Sequence, residues 1–338
     1  MPRPGRARMR QRVLLTGGAG FIGSHVAEAL LRQGCQLSII DNLDNFYEPG
    51  WKKDNLAQVR RAGDFEHFEI DICDPGLLHA AARKARPDAI VHLAARAGVR
   101  PSIEQPSLYE RVNVAGTVNL LELAREHHVD RVIFGSSSSV YGATNRVPFS
   151  EDDPVLRPIS PYAATKLAAE LMCYTYASLY GINTVCLRFF TVYGPRQRPD
   201  LAIHKFTALM EAGKPIPVFG DGSMGRDYTY VDDIVAGVLS SLEYRFPLAG
   251  TPFDVFNLGN SHPVTLAELI EDLEAATGRV AIRDLRPLQP GDVPLTWANI
   301  DKASNLLGYR PQTRMEDGLK KFVAWYRGSG SQGLRETA

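Results

Sequence analysis

The 338-residue chain predicts an α/β fold: a doubly wound parallel sheet with helices on both faces, joined to a smaller α/β substrate-binding domain. Three observations carry that reading. From residue 13 to residue 190 short apolar runs alternate with helical patterns, and parallel strands need such crossovers. Two runs, AIVHLAA at 89–95 and RVIFGSS at 131–137, begin almost continuously apolar, as strands buried on both faces do. A glycine-rich turn stands where the first apolar run meets the first helical pattern.

Taken in order, strands are expected at 13–16, 36–41, 65–71, 89–95, 131–137 and 183–189. Helices fill the gaps, among them 21–33, 108–128 and 161–180. After Thr191 the rhythm changes, because Pro195, Pro199, Pro215 and Pro217 punctuate loops. A helix is expected near 204–212, and PVFG at 217–220 is a short strand. TYVDDIVAGVLSSL (229–242) carries a helical stripe, and PFDVFNLG (252–259) reads as a further strand. TLAELIEDLEAATG (265–278) is an amphipathic helix in which Thr265 caps and Glu268 completes a capping box. The expected division is a dinucleotide-binding domain over 10–190, to which part of 227–259 returns, and a substrate domain over 191–226 and 260–328. Residues 1–9 and 329–338 are expected to be disordered tails.

Charge and composition exclude several classes. Thirty-eight basic residues balance 38 acidic ones, with no basic stripe for nucleic acid or a membrane surface. No apolar run reaches the roughly 18 residues that cross a bilayer. The opening MPRPGRARMRQR holds five arginines without a following hydrophobic block, so it is not a secretory signal. The cysteines Cys35, Cys73, Cys173 and Cys186 form no CxxC, which argues against a disulfide framework or a structural metal site. A soluble, cytoplasmic protein is expected.

The glycine turn is Thr16-Gly17-Gly18-Ala19-Gly20-Phe21-Ile22-Gly23. Glycines there permit a tight turn, close approach of backbone to a pyrophosphate, and close helix–strand packing, while the helix N-terminus offers N–H groups to the phosphates. Asp41, at the end of the second strand, suits adenosine ribose hydroxyls and repels an extra phosphate, so NAD is expected rather than NADP. Asp71-Ile72 is either an adenine contact or an ordinary helix cap.

A second constellation lies further on. Tyr162 and Lys166 stand four apart on one helical face, with Ser160 a suitable N-cap and Pro161 a suitable first residue. A phenol of pKa about 10 is a poor base at neutral pH, and a nearby ammonium favours its phenolate. Ser136-Ser137-Ser138-Ser139 ends a strand on the side where open parallel sheets bind ligands.

TGGAGFIG, Asp41, HLAA at 92–95, Asn113, SSSSVYG and YAATK together resemble the extended short-chain dehydrogenase/reductase family, in its nucleotide-sugar epimerase/dehydratase branch, from about residue 13 to about 325. The resemblance implies a Rossmann-type sheet of order 3-2-1-4-5-6-7 and a tightly held NAD. It implies Ser137, Tyr162 and Lys166 as the catalytic set, Tyr162 being the base. It implies cofactor contacts from Gly17, Gly20, Phe21, Ile22, Gly23, Asp41, Asp71, Ile72, Ala94, Asn113, Tyr162 and Lys166, with Lys166 on the nicotinamide ribose and Asn113 supporting the site through the neighbouring helix, and a homodimer built on the 108–128 and 161–180 helices.

Dehydratases of this branch carry Asp-Glu after the catalytic hydroxyl residue and decarboxylases carry Ser-Glu; here stand Ser138 and Ser139. Without an extra acid and base the simplest chemistry is reversible oxidation at one carbon, which is 4-epimerisation. LRFFTVYGPRQRPD at 187–200 resembles the loop of UDP-glucuronate 4-epimerases. That resemblance implies that Thr191 and Arg198 hold a sugar carboxylate with help from Ser138 and Ser139, and arginine does offer carboxylates a planar bidentate donor. It further implies Arg226 on the diphosphate and Asp292 on the uridine ribose, while Val218 and Phe219 either flank the base or belong to a short buried strand. Gln289 stands where many relatives have arginine, so one diphosphate contact is either missing or supplied elsewhere, as by Arg283 or Arg286. The expected activity converts UDP-glucuronate to UDP-galacturonate. The alternatives are a UDP-glucose or UDP-N-acetylglucosamine 4-epimerase, a dehydrogenase exchanging free NADH, and a catalytically silent NAD-binding regulator.

Overall fold

The computed structural model describes residues 11–144, 146–155, 157–287 and 293–328. The tails expected at 1–9 and 329–338, and the positions Gln289 and Asp292, lie outside the described residues.

The first half alternates as expected: β1 (Arg12–Thr16), α1 (Phe21–Arg32), β2 (Gln36–Ile40), α2 (Pro49–Ala62), β3 (Phe65–Phe68), α3 (Pro75–Ala85) and β4 (Ala89–His92). Next come α4 (Val99–Glu104), α5 (Pro106–Glu110), a π turn over Arg111–Ala115, α6 (Gly116–Glu126), β5 (Arg131–Ser137), α7 (Pro161–Tyr180) and β6 (Asn183–Phe189). The second half adds β7 (Thr191–Tyr193), α8 (Ala202–Glu211), β8 (Ile216–Phe219), β9 (Gly225–Tyr230), α9 (Val231–Leu242), β10 (Phe253–Leu258), β11 (Pro263–Thr265) and α10 (Leu266–Thr277). It closes with β12 (Arg283–Arg286), α11 (Asp301–Leu306) and α12 (Met315–Gly328).

Among the described residues one sheet has seven strands, in the order β10-β6-β5-β4-β1-β2-β3, all neighbours parallel. The chain order reverses beside β1, which opens a crevice at the carboxyl ends of β1 and β4. Side chains alternate across β1. Val13 and Leu15 pack with Val26 and Leu30 of α1, whereas Leu14 packs with Leu78 of α3 and Leu120 of α6. Each such aliphatic side chain, removed from water, contributes about 1.5–3 kcal/mol. The return of β10 to the edge of this sheet sets its Asn257 beside the strand ends that carry Ser136 and Ser137. Small sheets β11-β9-β7 and β12-β8 build the rest.

Several expected elements differ in extent. The strands expected at 65–71 and 89–95 stop at Phe68 and His92. The apolar residues beyond them turn away from the ladder and line a cavity instead. The single helix expected over 108–128 is interrupted by the π turn at Arg111–Ala115. The start of the 229–242 helix belongs to β9, so α9 begins at Val231. The capping box at Thr265 and Glu268 forms as expected.

Candidate active site

A cavity of about 520 Å³ lies at the carboxyl ends of the central strands. A wider groove of about 1750 Å³ runs past Asp88, Asp130 and Arg131, at the opposite ends of the strands. Location decides between them, since open parallel sheets bind ligands at their carboxyl edge.

One end of the smaller cavity is the glycine turn. Gly17 has φ +73°, and a Cβ there would lie 2.7 Å from the Ala94 amide nitrogen. A Cβ on Gly23 would lie 2.0 Å from the Gly17 carbonyl oxygen, so α1 approaches the turn more closely than any other residue allows. Gly20, the N-cap of α1, offers no side-chain cap, which leaves first-turn N–H groups available at the cavity. Asp41 is buried and braces the turn: Oδ2 accepts from the Ala19 N–H at 3.0 Å and Oδ1 from the Leu43 N–H at 2.9 Å. Each oxygen retains acceptor capacity for a hydroxyl. Asp71 is not a helix cap, since Asp74 caps α3 and Asp71 Oδ1 accepts from the Cys73 N–H. With Ile72 and Ala94 it lines the cavity.

The other end holds the hydroxyl and lysine groups. Ser160 Oγ accepts from the Ala163 N–H at 3.1 Å and starts α7, which sets Tyr162 and Lys166 on the cavity wall. Ser137, the last residue of β5, hydrogen-bonds Tyr162 and accepts from the Ser139 N–H at 3.2 Å. Ser138 and Ser139 form a single 3₁₀ turn whose hydroxyls border the same space.

Burial pushes the Tyr162 phenol above its ordinary value, while the Ser137 hydrogen bond and the positive Arg198 pull it down. Lys166 Nζ is directed at the Gly135 carbonyl, 2.7 Å away, over the Phe134 ring. Burial lowers Lys166 to about 8, which still leaves an ammonium at neutral pH. Below it lies a buried pair: Arg188 donates to both Glu170 oxygens at 3.0 and 2.8 Å. Glu170 also accepts from Ser136, and Arg188 stacks on Tyr141, whose hydroxyl donates to Asn257. This network ties the ends of β5, β6 and β10 together.

Asn113 does not border the cavity. Its Oδ1 accepts from the Arg96 N–H at 2.8 Å while Nδ2 donates to the Arg96 carbonyl and to Thr165. Its side chain fastens the segment after β4 to the neighbouring helix α7.

Thr191 and Arg198 face the cavity from the loop after β6. Arg196 adopts a left-handed backbone, φ +66°, and its Nη1 pairs with Glu28 of α1 while Nη2 lies 2.8 Å from His25 Nδ1. On the other side the Gln197 carbonyl meets His204 Nδ1 at 2.6 Å. The His204 ring stacks on Trp51 and is boxed by Phe322 and Trp325.

Two expected substrate contacts sit elsewhere. Val218 is 4% exposed, because its position on β8 turns it into the core. Arg226 is half-buried, does not border the cavity, and donates to the Gly225 carbonyl. Phe219 is covered by the Arg100 guanidinium. Arg286 pairs with Asp284, and Arg283 is exposed. Conversely, Asp44, Phe46, Tyr47, Lys52 and Arg96 border the cavity without having been selected from the sequence. The signal was present in the aromatic pair and lysine that follow Asp41, and in the arginine that follows HLAA.

The model of the family described as GDP-mannose 4,6 dehydratase matches residues 14–322. A UDP-glucuronate 4-epimerase of Thermodesulfobacterium geofontis is 42% identical over 313 residues, covering 92% of this chain and 95% of that protein. The crystal structure of a Bacillus cereus UDP-glucuronic acid 4-epimerase in complex with UDP-glucuronic acid and NAD superposes with TM-score 0.87 at 36% identity, covering 93% and 98% of the two chains. A UDP-glucose 4-epimerase of Thermotoga maritima, solved with UDP-glucose, superposes with TM-score 0.85 at 34% identity, covering 93% and 98%.

Proposed function

The chain belongs to the family that the GDP-mannose 4,6 dehydratase model describes, within the extended short-chain dehydrogenases/reductases, and on that premise we propose that it is an NAD-dependent 4-epimerase converting UDP-glucuronate to UDP-galacturonate. The observation that carries this reading is Arg198, a guanidinium on the cavity wall close enough to Tyr162 to act on its phenol, with Thr191, Ser138 and Ser139 lining the same cavity.

The residues fit NAD. The glycine turn exposes bare backbone that a Cβ would fill, the α1 N-terminus suits a diphosphate, and Asp41 suits a ribose without a 2′-phosphate. Asp71 and Ile72 lie where an adenine belongs, and Lys166 serves the nicotinamide ribose. NAD supplies an acceptor for the C4 hydride and the donor that returns it to the opposite face, so no external redox partner is required.

Tyr162, directly or through Ser137, takes the proton of the sugar O4 and gives it back after the 4-keto sugar has turned over. The Arg198 charge favours the phenolate that this step requires. Ser138 and Ser139 bring hydroxyls and no carboxyl, so nothing at that position removes the C5 proton or expels a C6 oxygen as dehydration would demand. A carboxylate held by Arg198 and Thr191 stays fixed and charged, which opposes loss of CO2 from the 4-keto sugar.

We assign the cofactor to residues 10–190 with the 227–259 segment, and the sugar nucleotide to 191–226 and 260–328. No helix among the described residues is long and apolar enough to cross a membrane, and we place the enzyme in the cytoplasm, with its sugar nucleotide. Exposed Leu171, Tyr174 and Leu179 on α7 support a homodimer through that helix. The experiment is incubation with UDP-glucuronate, following UDP-galacturonate together with absorbance at 340 nm. Product with almost no net NADH is expected. No product from UDP-glucuronate, with turnover of UDP-glucose, would replace the acidic sugar by the neutral one.

A further inference from the structure

The guanidinium of Arg198 already has a carboxylate on it. Its Nε–H donates to Asp200 Oδ1 and an Nη2–H to Oδ2, both at 2.9 Å. A guanidinium carries five N–H donors in one plane, arranged as two bidentate edges that share Nη2. Asp200 takes the Nε/Nη2 edge and leaves the Nη1/Nη2 edge. The face of the same group lies over the Phe46 ring, 5.3 Å from its centroid. Phe46 in turn sits under Arg96, which Asp44 holds at 2.8 Å. Pro199 separates the ionic partners and fixes φ between them, so this short pair is set before any ligand arrives. Arg198 borders the cavity and Asp200 does not; the acid is the more exposed of the two, at 42% against 17%.

Resting on the proposed activity toward UDP-glucuronate, we propose that Asp200 is a positioning residue for sugar selection. By occupying one edge of Arg198 it presents the other edge to the C6 carboxylate. Its negative charge does not repel the substrate in that arrangement, because the positive group stands between the two carboxylates. The competing account makes Asp200 a rival that the substrate must displace. The two accounts predict opposite signs, which makes the residue decisive. If Asp200 positions, its removal lets Arg198 swing and weakens selection of the acidic sugar. If it competes, removal frees the arginine and strengthens selection.

The test is steady-state kinetics of the full-length enzyme and its Asp200→Asn, Asp200→Glu, Arg198→Ala and Arg198→Ala/Asp200→Asn variants on UDP-glucuronate and UDP-glucose. In Asp200→Asn the KM for UDP-glucuronate is expected to rise about tenfold, the scale of one misplaced bidentate donor, with kcat changed less. The ratio of kcat/KM for UDP-glucuronate to that for UDP-glucose falls, and Asp200→Glu restores part of it. In the Arg198→Ala background Asp200→Asn adds nothing further, since the acid acts through the arginine. A lower KM for UDP-glucuronate, equal losses on both sugars, or additive effects in the double variant would each overturn the proposal. Wild-type enzyme inactive on UDP-glucuronate refutes the proposed activity; wild-type enzyme active on it with Asp200→Asn indistinguishable refutes only the role of Asp200.

Discussion

The two walls of the cavity are held by different kinds of force. On one wall, Ser137, Tyr162 and Lys166 stand on β5 and α7, fixed by a parallel ladder on both sides of β5, by the Ser160 cap and by the Glu170–Arg188 pair beneath. On the other, Thr191 opens β7, while Arg198 stands on the loop that follows, which has one left-handed non-glycine residue, Arg196, and is held by side chains reaching from α1 and α8. The first wall is backbone-determined, and the arginine loop of the second is held by side-chain pairs. That division suits the proposed chemistry. A group that moves a proton needs one fixed position for every substrate of the family, whereas a group that selects a substituent can be exchanged by changing a loop.

The sharpest test of the backbone-determined wall is Tyr162→Phe. The substitution keeps the ring and its edge contact with Tyr109 while removing the only atom that exchanges a proton. Turnover should fall about 10²–10⁴-fold on acidic and neutral sugars alike, with the melting temperature near that of the wild type. Activity within a few-fold of wild type would remove Tyr162 from the role of base. A loss confined to UDP-glucuronate would erase the distinction between the two walls.

That distinction also marks how far the sequence could be read. The glycine turn, Asp41, the serines and the Tyr-Lys pair were legible because each sits at an element boundary whose chemistry is local. A cap, a tight turn and a helical spacing of four leave marks within a few residues. Strand ends were read too far because IVHLAA and the residues after Phe68 are apolar both as ladder and as cavity wall, and periodicity cannot separate the two uses. The break in the 108–128 helix was hidden for a different reason. Asn113 is held by Arg96 and Thr165, and its carbonyl accepts from Thr117 at 2.6 Å, so tertiary partners decide the π turn. The same applies to Phe46 under Arg198, a contact between segments some 150 positions apart. For Val218 the sequence leaves the base and a buried strand equally open, and only the packing of β8 against the core favours the strand.

A smaller effect is expected from loosening the other wall. Arg196→Ala removes the pairs to Glu28 and His25 and leaves alanine in a left-handed conformation that costs of order 1 kcal/mol or more. The loop bearing Arg198 then loses its anchor on α1. We expect kcat/KM for UDP-glucuronate to fall about 10–100-fold through misplacement of the carboxylate donor, and UDP-glucose to suffer less. Because His25 and Glu28 lie on the helix whose N-terminus serves the cofactor, NAD retention should weaken slightly in the same variant. Equal loss on both sugars would mean that the loop is part of the fixed frame after all.

The gentlest probe is pH, because each wall rests on a neutral histidine, buried in the case of His92 and half-buried in that of His25. Behind the backbone-determined wall, His92 sits between two hydroxyls. Thr117 gives its proton to the Asn113 carbonyl and so must accept from His92 Nε2, leaving Nδ1 to accept from Thr16. Burial and the nearby Lys166 push His92 down to about 3. Under the arginine loop, His25 Nε2 meets the Pro195 carbonyl at 3.0 Å. Burial, then Arg196, also lower it to about 3. Below the ordinary histidine value of about 6.5 the unfolded chain gains protons that the folded chain refuses. Stability is therefore complete above that value and declines as pH falls toward about 3, by up to about 1.4 kcal/mol per pH unit for each histidine. Urea unfolding between pH 7.5 and 4.5 should show this slope, made shallower in His25→Gln and in His92→Gln, while His204, which burial also lowers, keeps part of it in both. The activity of the two variants should differ where their slopes agree: His25→Gln should impair the acidic sugar selectively, and His92→Gln should impair both sugars. A flat stability across that interval would mean that both imidazoles take up a proton in the folded state, and a partial slope that one of them does.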